Sequence, residues 1–236
     1  MPLRAAAPRI DTTFDVRTDT PPGRDPDTYS PTLRRYHRIL WSKELPDGRF
    51  FGLDPERGAY LVHRSDLGVF KLSSDTITTR LLGRAASVIR EIPPDRLPLY
   101  RGYTIGSSLI FPATKVGGGA TINGARGMHP RIADRIDLTL ECIRRHYLGG
   151  RSPLSAVLSR YQGFFDLFGT FTGYAEFFLL QDLLDDSGRG LRFFLVFDDF
   201  TGPAVPRTVD EYLQYRQAVN RFITDRNLRI DQYTKA

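Results

Sequence analysis

The chain has 236 residues, 41% of them hydrophobic, and 33 Lys plus Arg against 27 Asp plus Glu give a formal net charge of +6. That apolar fraction excludes a disordered chain, and a single cysteine excludes a disulfide scaffold or a cysteine-rich zinc site. No apolar run approaches the roughly 18 residues of a membrane span. The opening residues also lack the apolar core of a signal peptide, so a cytoplasmic address away from membranes is expected.

Only Lys43, Lys71, Lys115 and Lys235 are lysines, which leaves 29 arginines. Residues 1–118 carry 18 basic and 13 acidic side chains, whereas residues 119–236 carry 15 and 14. A protein held on nucleic acid mainly by charge shows a denser basic stripe than this. The planar fork of arginine nevertheless suits phosphate and carboxylate, which it grips through two parallel bonds.

Five prolines punctuate residues 1–28, which read as an irregular, flexible N-terminal segment with an extended piece near Phe14; residues 29–236 read as one domain. Ser30 and Pro31 have the chemistry of a helix cap and first position, and Leu33, Tyr36, Leu40 and Trp41 recur at helical spacing. Residues 50–53, 59–62 and 69–72 read as strands, with Asp54-Pro55 and Gly58 marking a reversal. A short helix over 85–92 stops at Pro93-Pro94. A strong strand over 105–113 leads through a glycine-rich tip to a second one over 120–123.

The second half is mainly helical. Residues 131–147 form one amphipathic stripe closed by Gly149-Gly150, and Ser152-Pro153 opens another. Residues 174–184 are apolar nearly all round, as a buried helix is, and 191–197 read as an internal strand ending at Asp198-Asp199. Thr208-Val209-Asp210-Glu211 matches a capping box and opens a long helix whose core face includes Tyr215, Val219, Phe222, Ile223 and Arg226. The fold class is α+β.

The sharpest local signal spans residues 117–131, a glycine-rich connection into a helix. Helix N-termini present unpaired N–H groups, and Gly124 and Gly127 would let a backbone approach an anion, with Arg126, His129 and Arg131 adding side-chain donors. The Gly-Lys-Ser/Thr ending of a P-loop is missing. A plain hairpin followed by a helix accounts for the same residues. On the helix from Pro31, Arg34 and Arg38 share an exposed face while His37 borders the apolar stripe. A half-buried imidazole near arginine stays neutral and can serve as a general base, or it can be a core-edge histidine held by a backbone carbonyl. His63 and His146 have no evident partner.

Asp198 and Asp199, with Asp182, Asp185 or Asp186, would suit a hard cation, but adjacent strand residues face opposite ways. No metal or cofactor is expected. Cys142 reads as a buried structural thiol. Tyr100-Arg101-Gly102 is similar to the arginine element of ADP-ribosyltransferases, but the accompanying serine-rich strand and acidic motif are not legible, so that assignment is rejected.

Residues 121–145, TINGARGMHPRIADRIDLTLECIRR, resemble the hallmark of an uncharacterised bacterial family of unknown function. Residues 30–46, 173–184 and 193–200 support the resemblance, which runs through nearly all of the chain after residue 14. It implies a cytosolic bacterial protein built as one family-wide domain, and it supplies no reaction and no catalytic residue. The residues themselves point first to a phosphate-recognising protein that binds or acts on RNA or a nucleotide. If it is an enzyme, metal-independent phosphodiester cleavage follows, with His37 and His129 as base and acid and Arg126, Arg131, Arg34 and Arg38 as anion ligands. That requires both histidines to face one cleft. The alternatives are a non-catalytic module that docks a protein partner and an enzyme for a small acidic metabolite.

Overall fold

The computed structural model describes residues 9–55, 60–77, 84–97 and 99–235. A one-turn helix α1 (Pro26–Tyr29) leads into α2 (Pro31–Trp41), where the Ser30 hydroxyl accepts the Leu33 N–H at 3.1 Å, as its cap chemistry predicts. Leu33, Tyr36, Leu40 and Trp41 are buried at that helical spacing. Strands β1 (Lys43–Glu44) and β2 (Phe50–Phe51) then pair antiparallel as a short ribbon.

A four-stranded antiparallel meander follows: β3 (Asp54–Pro55), β4 (Leu61–Ser65), β5 (Gly68–Thr76) and β6 (Ser108–Pro112), in that order. Every residue of β6 is buried, so both of its faces belong to the interior. The excursion between β5 and β6 carries α3 (Ala86–Arg90), whose neighbours Ala85 and Ile92 bury with Val88 against Tyr212.

The second half is helical, with α4 (Ile122–Met128), α5 (Ile136–Tyr147), α6 (Ser155–Ser159), α7 (Gln162–Asp166), α8 (Phe171–Phe177) and α9 (Val209–Lys235). An aromatic cluster of Phe164, Phe168, Tyr174, Phe177 and Phe178 reaches back to Trp41 and Phe51 in the first half. One core therefore joins the two halves, and α9 lays Tyr215, Val219, Phe222, Ile223 and Ile230 into it. Among the described residues no helix is long and apolar enough to cross a membrane.

The chain is an α+β protein, and several local expectations change inside that class. Residues 120–123 are not a strand: Thr121 caps α4, its hydroxyl accepting the Gly124 N–H at 3.2 Å. Residues 131–135 are a turn, with Ala133 and Asp134 at positive φ (47° and 69°), and α5 begins only at Ile136. Residues 191–197 form no ladder beyond a single bridge from Leu191 to Leu184, because the Phe194 N–H goes to the Asp137 carboxylate at 2.9 Å. The apolar run 174–184 leaves its helix at Phe177, and Leu179 turns to a φ of 52°.

Asp54 and Pro55 pair as β3 instead of forming a turn, while the reversal expected at Gly58 lies outside the described residues. Residues 9–28 are irregular yet docked. Ile10 and Val16 enter the main core, and the Asp11 N–H donates to the Tyr36 hydroxyl at 3.1 Å.

Candidate functional site

Arg126 is fully buried, and all five of its N–H donors have acceptors inside the protein. Nε donates to the Thr139 hydroxyl, Nη1 to the Asp75 and Asp134 carboxylates, and Nη2 to the carbonyls of Ile77 and Asp134. The guanidinium thus clamps β5 to the turn before α5, and it has nothing left to offer a ligand. Burial pushes the Asp75 carboxyl up and Arg126 draws it down; repulsion from Asp134 and Asp27 leaves the balance upward. Gly124 and Gly127 sit within α4, where Thr121 caps the first turn and the Gly127 carbonyl accepts from Arg84 at 2.6 Å. The helix entrance expected to hold an anion is used by the fold itself.

His37 is equally enclosed, with no exposed surface. The Trp41 indole N–H donates to its Nδ1 at 2.9 Å, which places the ring proton on Nε2. Nε2 lies 3.0 Å from the Ser74 hydroxyl and 3.2 Å from that of Ser108. Ser74 in turn donates to Asp27 Oδ1 at 2.7 Å, and the other Asp27 oxygen accepts the Thr76 N–H at 2.8 Å. The donors therefore run one way, from Trp41 through His37 and a serine to Asp27. Burial and the Arg226 cation push the imidazole down to about 3. Its lone pair is already filled, so His37 is not a general base: it satisfies the core.

The remaining predicted residues do not assemble with it. His129 follows α4, half-buried, and its Nδ1 accepts the Arg131 N–H at 3.2 Å. Burial and Arg131 lower its pKa. Arg131 is exposed in the turn after α4, whereas Arg38 is exposed and Arg34 half-buried on α2, the helix that carries His37. The shared cleft that acid–base cleavage needs is not built, because His37 reaches no surface.

Asp198 accepts the Gly202 N–H, Asp199 pairs with Arg145, Asp182 with Arg229 and Asp186 with Arg192. These carboxylates are dispersed among separate cations, and among the described residues no group of three His, Cys, Asp or Glu is placed to hold a metal ion. Cys142 is buried, and burial pushes its thiol up to about 12, as suits a structural residue.

A further depression lies elsewhere. A cleft of about 530 Å³ lies between residues 12–17, residues 99–104 and the last third of α9. Its walls follow from local chemistry. Asp11 and Asp15 each accept the N–H two residues on, at 2.9 Å, and these side-chain turns shape an irregular stretch. On α9, Asn220 and Asn227 are two turns apart on one face. Asn220 holds the Leu99 carbonyl at 2.7 Å and Asn227 the Gly106 N–H at 2.8 Å, so the helix grips an extended segment that has no strand partner.

One glycine is required there. A Cβ on Gly106 would come within 2.5 Å of the Asn227 side chain and 2.7 Å of the Ile223 carbonyl, whereas one on Gly102 would displace the Tyr100 ring. With Tyr100 folded back over Gly102, Arg101 points to solvent.

The cleft sets cations beside rings. Arg17 lies over Tyr103 at 4.1 Å, the two tyrosines meet edge to face at 5.6 Å, and Arg216, buried and outside the cleft lining, lies over Tyr100 at 4.2 Å. Asp15 binds Arg17 through both oxygens, whereas Arg101 is exposed and without an ion pair among the described residues. An adjoining depression of about 660 Å³ shares Thr12 and Thr13 and adds Arg9 and Arg35, both exposed. The Tyr-Arg-Gly-Tyr run was visible in the sequence, but Arg17 and Arg216 reach it from opposite ends of the chain.

Fold and cleft together define an α+β protein with a pre-shaped arginine- and tyrosine-lined depression. Comparison with known proteins supplies the family. The chain belongs to a family of unknown function (DUF6994), whose model matches residues 10–230. No curated protein and no solved structure matches it.

Proposed function

We propose that this protein binds a nucleotide or a short single-stranded RNA in the cleft between residues 12–17, residues 99–104 and α9. The observation that carries this reading is the exposed Arg101 set beside two tyrosines that are each already paired with an arginine. Bases stack on aromatic rings and guanidinium planes, and an arginine without a carboxylate offers its fork to phosphate. Each depression falls in the size range of small-ligand sites, and Thr12 and Thr13 line both. The role is recognition; a cleavage step finds no support in the placement of His37 and His129.

The test is binding of a fluorescent oligouridylate and of ATP as salt rises from about 20 to 200 mM, in the native chain and in Arg101→Ala and Arg35→Ala. Salt-dependent binding weakened about threefold or more by Arg101→Ala is expected. Absence of binding by both ligands at low salt, or affinity indifferent to Arg101→Ala, would overturn the reading. Leu99 and Leu228 are exposed at 78% and 57% in the same cleft, which favours a peptide as second occupant. Salt-insensitive binding abolished by Leu228→Ser would point to it.

A further inference from the structure

Lys43 stands apart from the other three lysines. Its amine lies 5.2 Å from the Trp41 ring centroid and 4.6 Å from those of Phe177 and Tyr233, inside a three-sided aromatic enclosure. It has no carboxylate partner among the described residues. By contrast, Lys235 pairs with Asp231 at 2.5 Å, Lys115 is exposed, and Lys71 lies over the single ring of Tyr60. Trp41 ends α2, β1 carries Lys43, Phe177 ends α8 and Tyr233 closes α9, so the enclosure exists only in the folded chain.

Two effects compete at the amine. The ring faces attract an ammonium, while removal from water and the neighbouring buried Arg226 cation repel it. The balance brings Lys43 down to about 8, with burial the larger cause and Arg226 the second. About a tenth of the amine is then unprotonated at pH 7, against less than about 0.1% for an ordinary lysine, and Lys43 remains half-buried, within reach of a small reagent. The same surroundings favour a neutral product, since an amide in place of the ammonium removes the repulsion from Arg226 and suits three apolar rings.

We infer that Lys43 is a lysine acylation site whose co-substrate is a small acyl thioester. The amine lone pair adds to the thioester carbonyl carbon and a C–N bond forms. The C–S bond then breaks, and the thiolate leaves with the proton released from nitrogen, giving an amide and a free thiol. This inference is independent of the cleft.

The test uses the full chain with the acetyl thioester of N-acetylcysteamine at pH 7.5, reading occupancy at all four lysines by mass spectrometry. Lys43 is expected to react about 10-fold faster than Lys115 and Lys235, with the advantage shrinking above pH 10 as every lysine loses its proton. Unfolding in urea should erase the difference. Tyr233→Ala, at a 42% exposed ring near the chain end, opens the enclosure without emptying the core and should lower the Lys43 rate toward that of Lys115. A Lys43 rate no greater than that of Lys115 in the folded chain would overturn the inference, as would a rate advantage that persists in urea.

Discussion

Arg126 and Arg226 are both fully buried, and the protein treats their charges in opposite ways. Around Arg126 two carboxylates, Asp75 and Asp134, balance the cation and complete its hydrogen bonds. Around Arg226 every acceptor is a backbone carbonyl: Leu179 and Phe178 after α8, Gly106 just before β6 and Ser108 at its first position. Burial without a paired carboxylate lowers Arg226 to about 9, with Asp182 opposing from a distance. The first region is a clamp between charges; the second is a pin that ties the segment after α8 to the entry of β6. Buried arginines can thus have structural roles even where the sequence reads as an anion site.

The largest test of this contrast is Arg126→Met. It strands two carboxylates and should cost about 3–5 kcal/mol in urea unfolding, with Asp134→Asn in the same chain recovering part of the loss. A cost below about 1 kcal/mol would show that the carboxylates do not depend on the clamp. Arg226→Met should cost less, about 2–3 kcal/mol, because four carbonyls lose a donor while an unpaired cation leaves the interior. If it costs as much as Arg126→Met, the two regions are energetically alike and the distinction fails.

His37 sharpens the comparison through pH. Its folded pKa of about 3 lies below the ordinary 6.5, so the unfolded chain takes up the proton first. The associated stability is complete above about pH 6.5 and is lost as pH falls toward 3, amounting to about 2 kcal/mol by pH 5. His37→Gln should flatten stability against pH over that interval. An unchanged slope would mean that another group governs it.

The smallest expected effect on stability is at the cleft. Arg101→Ala should shift unfolding by less than about 0.5 kcal/mol while weakening nucleotide or RNA binding. A large loss of stability there would assign Arg101 to the fold and remove it from recognition.

Much of the architecture was legible because its causes are local. Ser30-Pro31 and the apolar spacing of α2 lie within a dozen residues, as do the Thr208 cap and the buried stripe of α9. Arg226 could be placed on the core face of α9 by period alone, although its carbonyl partners could not. Two of the misread segments share one feature: a backbone group is held by a side chain from another element or turn. Asp137 takes the N–H of Phe194, and Arg126 holds the Asp134 carbonyl at the turn before α5. Asp27 shows the same effect from within a stretch that reads as flexible. It closes a hydrogen-bond chain with Ser74, Ser108 and His37, drawn from three other elements.

The sequence by itself determined the α+β class, the principal caps and the aromatic core of the second half, because period and capping act over a few residues. It also supplied the arginines, without saying which were ligands. Only the tertiary structure decided that Arg126 is consumed by Asp75 and Asp134, that Trp41 fills the lone pair of His37, and that Arg17, Tyr100, Arg101 and Tyr103 share one cleft. The physical reason is that a side chain's availability depends on which donors and acceptors burial brings to it, and here those come from 50 or more residues away as often as from the next turn.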